Sequence, residues 1–198
     1  VLASLRRLKD PETNALIVET EPHSIAAEEF RRLRTNIQFV DVTTEDQHSF
    51  VITSAVAGEG KTTASVNLAL AMADSGARVL LVDADLRHPS VANALGLEGS
   101  AGLTTLLLGR ASLDDVAQQW GTTSLYVLPA GEVPPNPSEL LGSKAMQRLF
   151  HQLLADYDFV LVDSPPIVPV IDPVLISRLV GGMLMVVSVD RTLKRDVA

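Results

Sequence analysis

The stretch SAVAGEGKTT, residues 54–63, lies between one apolar run that ends at Ser54 and another that begins at Lys61. Within it, Ala55 to Thr62 follows the Walker A pattern, with alanine in place of the usual first glycine. Gly58 and Gly60 let the backbone turn its N–H groups inward around phosphate oxygens, and the helix that follows adds its positive N-terminal end. In such a loop Lys61 reaches the β and γ phosphates, and the Thr62 hydroxyl ligates Mg²⁺. The expected nucleotide-binding set is therefore Ala57, Gly58, Glu59, Gly60, Lys61, Thr62 and Thr63. A loop of this kind needs a strand before it and a helix after it, so it also decides the fold.

Outward from the loop, short apolar strands alternate with amphipathic helices, the pattern of a parallel sheet covered on both faces. Strands are expected at Phe50–Ser54, Val79–Asp83, Leu125–Leu128, Phe159–Asp163 and Met183–Val189. Helices are expected at Lys61–Ser75, closed by Gly76, and at Leu103–Leu108, Ser143–Ala155 and Asp172–Val180. The fold class is α/β: a P-loop NTPase with a mostly parallel sheet in a three-layer α/β/α arrangement. The chain stops soon after an apolar strand, where such a sheet continues with another helix and strand, so the domain is expected to lack its natural C-terminal end.

Two further acidic sites belong with the loop. VLLVDADLRHP, residues 79–89, places Asp83 and Asp85 at a strand end, and their i, i+2 spacing turns both carboxylates to one side. FVLVDSPP, residues 159–166, places Asp163 at the end of another strand, the Walker B position. Carboxyl ends of neighbouring strands line one crevice in an open α/β sheet, so the three carboxylates are expected to converge on a metal. Oxygen ligands beside a nucleotide point to Mg²⁺, with Thr62, Asp85 and Asp163 as its protein ligands. Residues 129–139, PAGEVPPNPSE, read as a turn-rich loop that walls a base pocket, with Asn136 as the contact, or equally as a plain connection.

Composition narrows the class. At 198 residues, 46% hydrophobic and 20% charged, the chain is a soluble globular domain, and its longest apolar runs fall well short of a membrane span. Residues 1–40 hold six basic and six acidic side chains, so the whole net charge of −8 lies downstream, which argues against a nucleic-acid partner. The absence of cysteine excludes disulfides, thiol catalysis and thiolate metal sites. Arg6, Arg7 and Lys9 stand among leucines near the start, a pattern that suits anionic headgroups as well as a solvated terminus. Residues 1–20 are read as a linker beside a membrane, and residues 21–198 as the domain. Ser24 caps a helix over 24–40, whose Phe30, Leu33, Ile37 and Val40 repeat at helical spacing. Glu28, Arg31 and Arg34 lie largely off that stripe as a charged ladder, and by themselves read as a solvated face.

At these motifs, over about residues 20–190, the chain resembles the bacterial tyrosine kinases, the cytoplasmic kinase domains of capsule and exopolysaccharide export systems. The likeness rests on SAVAGEGKTT, on VLLVDADLRHP as an additional Walker A′ motif, on FVLVDSPP, on NPSELL, and on the E-x-x-R-x-x-R pattern of Glu28, Arg31 and Arg34. It implies ATP or ADP and Mg²⁺ as cofactors, with Lys61, Asp83 and Asp85 as the catalytic residues and Asp83 as the base. It also implies that Glu28, Arg31 and Arg34 join subunits in a ring and that phosphorylation passes between neighbours. A transmembrane activator, on the same chain or separate, and the export machinery are the implied partners, at the inner face of the cell membrane. The family's acceptor is a tyrosine cluster in a C-terminal tail, whereas the only tyrosines here are Tyr126 and Tyr157, both beside expected core strands. A partition or septum-site ATPase shares all three motifs but carries a lysine where this chain has Val56. A non-catalytic scaffold whose nucleotide controls assembly is the third reading.

Overall fold

The computed structural model describes residues 1–6, 16–41, 48–189 and 192. Arg7, Lys9, the side chain of Val40 and most of the stretch beyond Val189 lie outside the described residues. The first half runs α1 (Ile17–Thr20), α2 (Ile25–Asp41), β1 (Ser49–Ser54), α3 (Lys61–Ala73), β2 (Val79–Asp83) and α4 (Val91–Leu95). It continues with α5 (Leu103–Leu107), α6 (Leu113–Val116), β3 (Gln118–Gln119) and β4 (Leu125–Leu128). The last part is α7 (Pro137–Leu141), α8 (Lys144–Asp156), β5 (Phe159–Asp163), α9 (Asp172–Ser177) and β6 (Gly182–Val186).

The six strands form one sheet in the order β3-β4-β2-β5-β1-β6, parallel except for the short edge strand β3. Every residue of β1, β2 and β5 is buried, as expected of central parallel strands with helices on both faces. Alternation splits them between two cores. Phe50, Ile52, Leu81 and Leu161 pack with α1, α2 and α3, while Val51, Leu80, Val82 and Val162 pack with α5, α6, α8 and α9. The three-layer α/β/α expectation therefore holds. β6 pairs with β1 only through Val186, three residues short of the expected strand. Among the described residues no helix is long and apolar enough to cross a membrane.

Local signals account for most boundaries. The Ser24 hydroxyl accepts from Ala27 N–H (3.1 Å) and the Ser143 hydroxyl from Met146 N–H (3.2 Å), so both caps close the helices they begin. Two expectations change. Residues 137–141 form a helix rather than a loop, because Pro137 occupies a first-turn position where a missing N–H costs nothing. Ile17 and Val18, within the segment read as a linker, are core residues, and Val18 N–H donates to the Asn67 side chain (3.1 Å). At the other end of the same segment, Arg6 pairs with Glu29 at 3.0 Å.

Candidate functional site

β1, β5 and β2 end side by side, and the register sets Asp83 directly opposite Asp163. The loop after β1 turns over these ends, with Gly58 (φ 79°) and Gly60 (φ 86°) in the left-handed region that favours glycine. Ser54 Oγ donates to Val56 O (2.7 Å), while Ile167 and Val168 N–H donate to Ser54 and Ala55 O, so the segment after β5 backs the loop. Lys61 begins α3, and its ammonium donates to Asp85 Oδ2 at 3.0 Å. Thr62 Oγ1 donates to Asp163 Oδ2 (2.7 Å) and lies 3.0 Å from Ser90 Oγ. Thr63, on the first turn of α3, uses its carbonyl to accept from Asn67.

The three carboxylates meet different partners. Asp83 Oδ2 accepts from Ser90 and Val91 N–H (3.0 Å each) and its Oδ1 from Asp85 N–H (3.2 Å). Asp85 takes Lys61 and His88 N–H, and Asp163 takes the hydroxyls of Thr62 and Ser65. Among the described residues no group of three or more His, Asp or Glu side chains is arranged to hold a metal. The donor set still fits Mg²⁺, which takes one or two carboxylates and completes its shell with phosphate oxygens and water.

Electrostatics follow from burial. Asp83 is pushed up to about 7, first by desolvation and then by the Asp163 charge, against the pull of its three backbone donors. Burial likewise raises Asp163, although Lys61, Thr62 and Ser65 act in the opposite sense. Lys61 loses solvation, yet the charges of Asp163 and Asp85 outweigh this and raise it, so it remains a cation. Beside Asp83 a cavity of about 260 Å³ opens, lined among others by Ser90, Asn93, Leu97, Gly99 and Ala130.

Several expected site residues have partners of their own. The Glu59 side chain turns from the loop toward the end of β6, where it accepts from Val56 N–H (3.0 Å), Ser188 N–H (3.2 Å) and the Thr192 hydroxyl. Burial opposes its ionisation, but these hydrogen bonds outweigh it and lower its pKa. Asn136 precedes α7, and its amide donates to Glu139 (3.1 Å). On α2, Arg31 pairs with Glu28 at 3.4 Å, whereas Arg34 turns inward and donates to Ala71 O of α3 (2.9 Å). The expected ladder is thus two residues on the surface and one spent between helices. Sequence reasoning also passed over Ser65, Ser90, Arg87, Ser138 and Asp172. Ser65 carried a signal, being a polar residue inside an apolar helix; Arg87 and Ser138 stand within VLLVDADLRHP and NPSELL, while Ser90 and Asp172 carried none.

Comparison with known proteins agrees with this geometry. Residues 47–178 match the protein family described as an AAA domain. The tyrosine-protein kinase YwqD of Bacillus subtilis is 43% identical over 183 residues, which cover 92% of this chain and 77% of that protein. The crystal structure of the chimerical protein CapA2B2 matches with a TM-score of 0.92 at 38% identity, over 100% of this chain and 84% of that one. The kinase domain of the Escherichia coli tyrosine kinase ETK matches with a TM-score of 0.93 at 32% identity, over 100% and 81% of the two chains. Of the whole Escherichia coli etk protein the chain spans 24%. A phosphate loop followed by two carboxylate-bearing strand ends, on a fold shared with these kinases over the full chain, shows that this protein belongs to the bacterial tyrosine-protein kinases of the AAA-domain family.

Proposed function

We propose that this chain is an ATP-dependent kinase domain that transfers the γ-phosphoryl group to a tyrosine hydroxyl. The observation that carries the reading is the row Lys61–Asp85, Asp83 and Asp163–Thr62 across the ends of three adjacent strands, beside a cavity of about 260 Å³. Lys61, now held by Asp85, is the cation that turns to the β and γ phosphates, which the loop N–H groups cradle. Thr62, Asp85 and Asp163 would hold Mg²⁺, which supplies neutralisation of phosphate charge. Asp83 accepts the proton of the acceptor phenol as its oxygen bonds to the γ phosphorus and the bond to the leaving ADP breaks. A base poised near neutrality suits that role, and Asp83 at about 7 meets it.

Tyr126 and Tyr157 are poor acceptors. Their rings meet edge to face at 5.6 Å, and the Arg78 guanidinium lies 5.1 and 4.9 Å from the two centroids. A phosphate there would break this packing and set about two negative charges beside apolar groups. The acceptor is a tyrosine outside this sequence, supplied by a neighbouring copy. Assembly through α2 is supported by the exposed Glu28 and the Arg31 beside it. Family membership supports control of capsule or exopolysaccharide synthesis, beside the membrane and with a transmembrane activator.

The test is phosphosite mapping by mass spectrometry after incubating the full-length natural protein with Mg–ATP. Phosphotyrosine outside Tyr126 and Tyr157 is expected. Free phosphate without phosphotyrosine would overturn the kinase reading in favour of an ATPase switch.

A further inference from the structure

Asp172 makes no contact with the phosphate loop, yet its side chain is fully buried at the start of α9. A carboxylate in that position is costly unless charge and hydrogen bonds surround it. Here Arg87 Nε donates to Oδ2 (2.8 Å) and Arg87 Nη2 to Oδ1 (3.3 Å), a two-pronged grip, and the Ser138 hydroxyl donates to Oδ1 as well. Arg87 Nη2 also donates to Ser138 Oγ (3.0 Å), closing the triangle.

The three residues come from three segments. Arg87 stands two residues after Asp85 in the turn beyond β2; Asp172 stands nine residues after Asp163, beyond the neighbouring strand β5; Ser138 lies on α7. That turn also supplies the backbone donors of the site, His88 N–H to Asp85 and Ser90 and Val91 N–H to Asp83. In the kinase reading Lys61 leaves Asp85 for a phosphate and Mg²⁺ would take its place, so the contacts that hold the turn from outside keep its shape through the exchange. Arg87 is raised chiefly by its bond to Asp172, with a smaller contribution from Asp85, so its charge reaches both.

We propose that Arg87, Asp172 and Ser138 are positioning residues for the transfer: the buried Asp172 carboxylate ties the turn after β2 to α7 and α9, and so sets where Asp83 and Asp85 stand relative to the loop. This rests on the kinase reading. The side chains of the triangle are turned to one another. Its effect is therefore expected on the chemical step and not on the affinity for the nucleotide without Mg²⁺, which belongs to the loop.

The experiment measures kcat for phosphotyrosine formation by the full-length protein, the Kd for ADP without Mg²⁺ by calorimetry, and Tm. The variants are Asp172→Asn, Arg87→Lys, Ser138→Ala and the double change Arg87→Met with Asp172→Leu. Asp172→Asn and Arg87→Lys are expected to lower kcat about 10- to 100-fold, the scale of a catalytic group displaced by about 1 Å, while Kd stays within about twofold. Lysine keeps the charge but not the two-pronged geometry, so full activity in Arg87→Lys would overturn the proposal. The double variant replaces the ion pair by apolar volume, which preserves folding in other proteins. Low kcat with wild-type Tm supports positioning; wild-type kcat there means that the triangle only fills space. A fall in kcat and ADP affinity together would likewise overturn it. No phosphotyrosine from the unaltered protein would instead remove the kinase reading, and this inference with it.

Discussion

Replacing Asp83 by asparagine should abolish transfer and, at alkaline pH, make the nucleotide-free protein more stable. Asp83 is pushed from 3.8 to about 7 by burial and by Asp163, so the folded state holds a proton that the unfolded chain releases. The stability tied to this group is present in full below 3.8 and is lost as pH rises to about 7. At pH 8 the loss amounts to about 4 kcal/mol, taking roughly 1.4 kcal/mol for each pKa unit. Asparagine avoids it, since the amide has no charge to bury. The same change forfeits part of the hydrogen bonding. The substituted amide keeps one oxygen for Ser90 and Val91 N–H but turns its NH₂ toward Asp85 N–H, at about 1–2 kcal/mol. The balance at pH 8 is about 2–3 kcal/mol in favour of the variant, or roughly 5–10 °C in Tm for a chain of this length. At pH 5 the wild type is penalised by only about 2 kcal/mol, so the two proteins should melt together. Circular dichroism melts of both proteins between pH 5 and 8, without nucleotide, measure this. A variant less stable than wild type at pH 8, or a difference that does not change with pH, would refute the reasoning.

Further outcomes follow from single contacts. Lys61→Met should lower phosphotyrosine formation at least about 100-fold in a radiolabel assay, because the cation facing the transferred phosphoryl group is gone while side-chain length is kept. The same variant should melt below wild type, since Asp85 loses its ion pair at 3.0 Å and Asp163 a neighbouring cation. Arg34→Ala should destabilise the monomer by about 1–2 kcal/mol in urea, through the lost bond to Ala71 O. Glu28→Ala with Arg31→Ala should leave the urea midpoint within error but lower the assembly mass in light scattering of the full-length protein, and high salt should act in the same direction. Gly102→Ala should cost about 3 kcal/mol or more in the same unfolding assay, because a Cβ there would stand 2.0 Å from Pro129 O, and backbone cannot move aside as a flexible side chain can.

Much of the site was legible because its signals are local. A turn that cradles phosphate needs glycines and a lysine within a few residues, and all of them lie in one loop ahead of one helix, where Lys61 and Thr62 stand as expected. Strand ends were legible for the same reason: VLLVD and FVLVD each run apolar and then stop at a carboxylate, and both strands match residue for residue. The caps at Ser24 and Ser143 are three-residue patterns. PAGEVPPNPSE, residues 129–139, reads as a loop to its end although a helix begins at Pro137, because proline punctuates loops and opens helices alike, and only packing separates the two.

The class of fold, the phosphate loop and the residues available for chemistry can therefore be read without coordinates, since periodicity and turn geometry act over a few residues. How those residues are shared out depends on the folded arrangement. It placed β5 between β1 and β2, which puts Asp83 opposite Asp163 and raises it to about 7. It gave the three carboxylates separate partners, took Glu59 to Ser188 and Arg34 to Ala71, and brought Arg87 across to Asp172, 85 positions away. The contacts of Glu59, Arg34 and Arg87, like those of Lys61 with Asp85 and Thr62 with Asp163, join segments far apart in the chain, and no pattern within a short window specifies them. They are set by the burial of two apolar cores on one sheet, which fixes the distances and leaves the polar groups to find their partners at the strand ends.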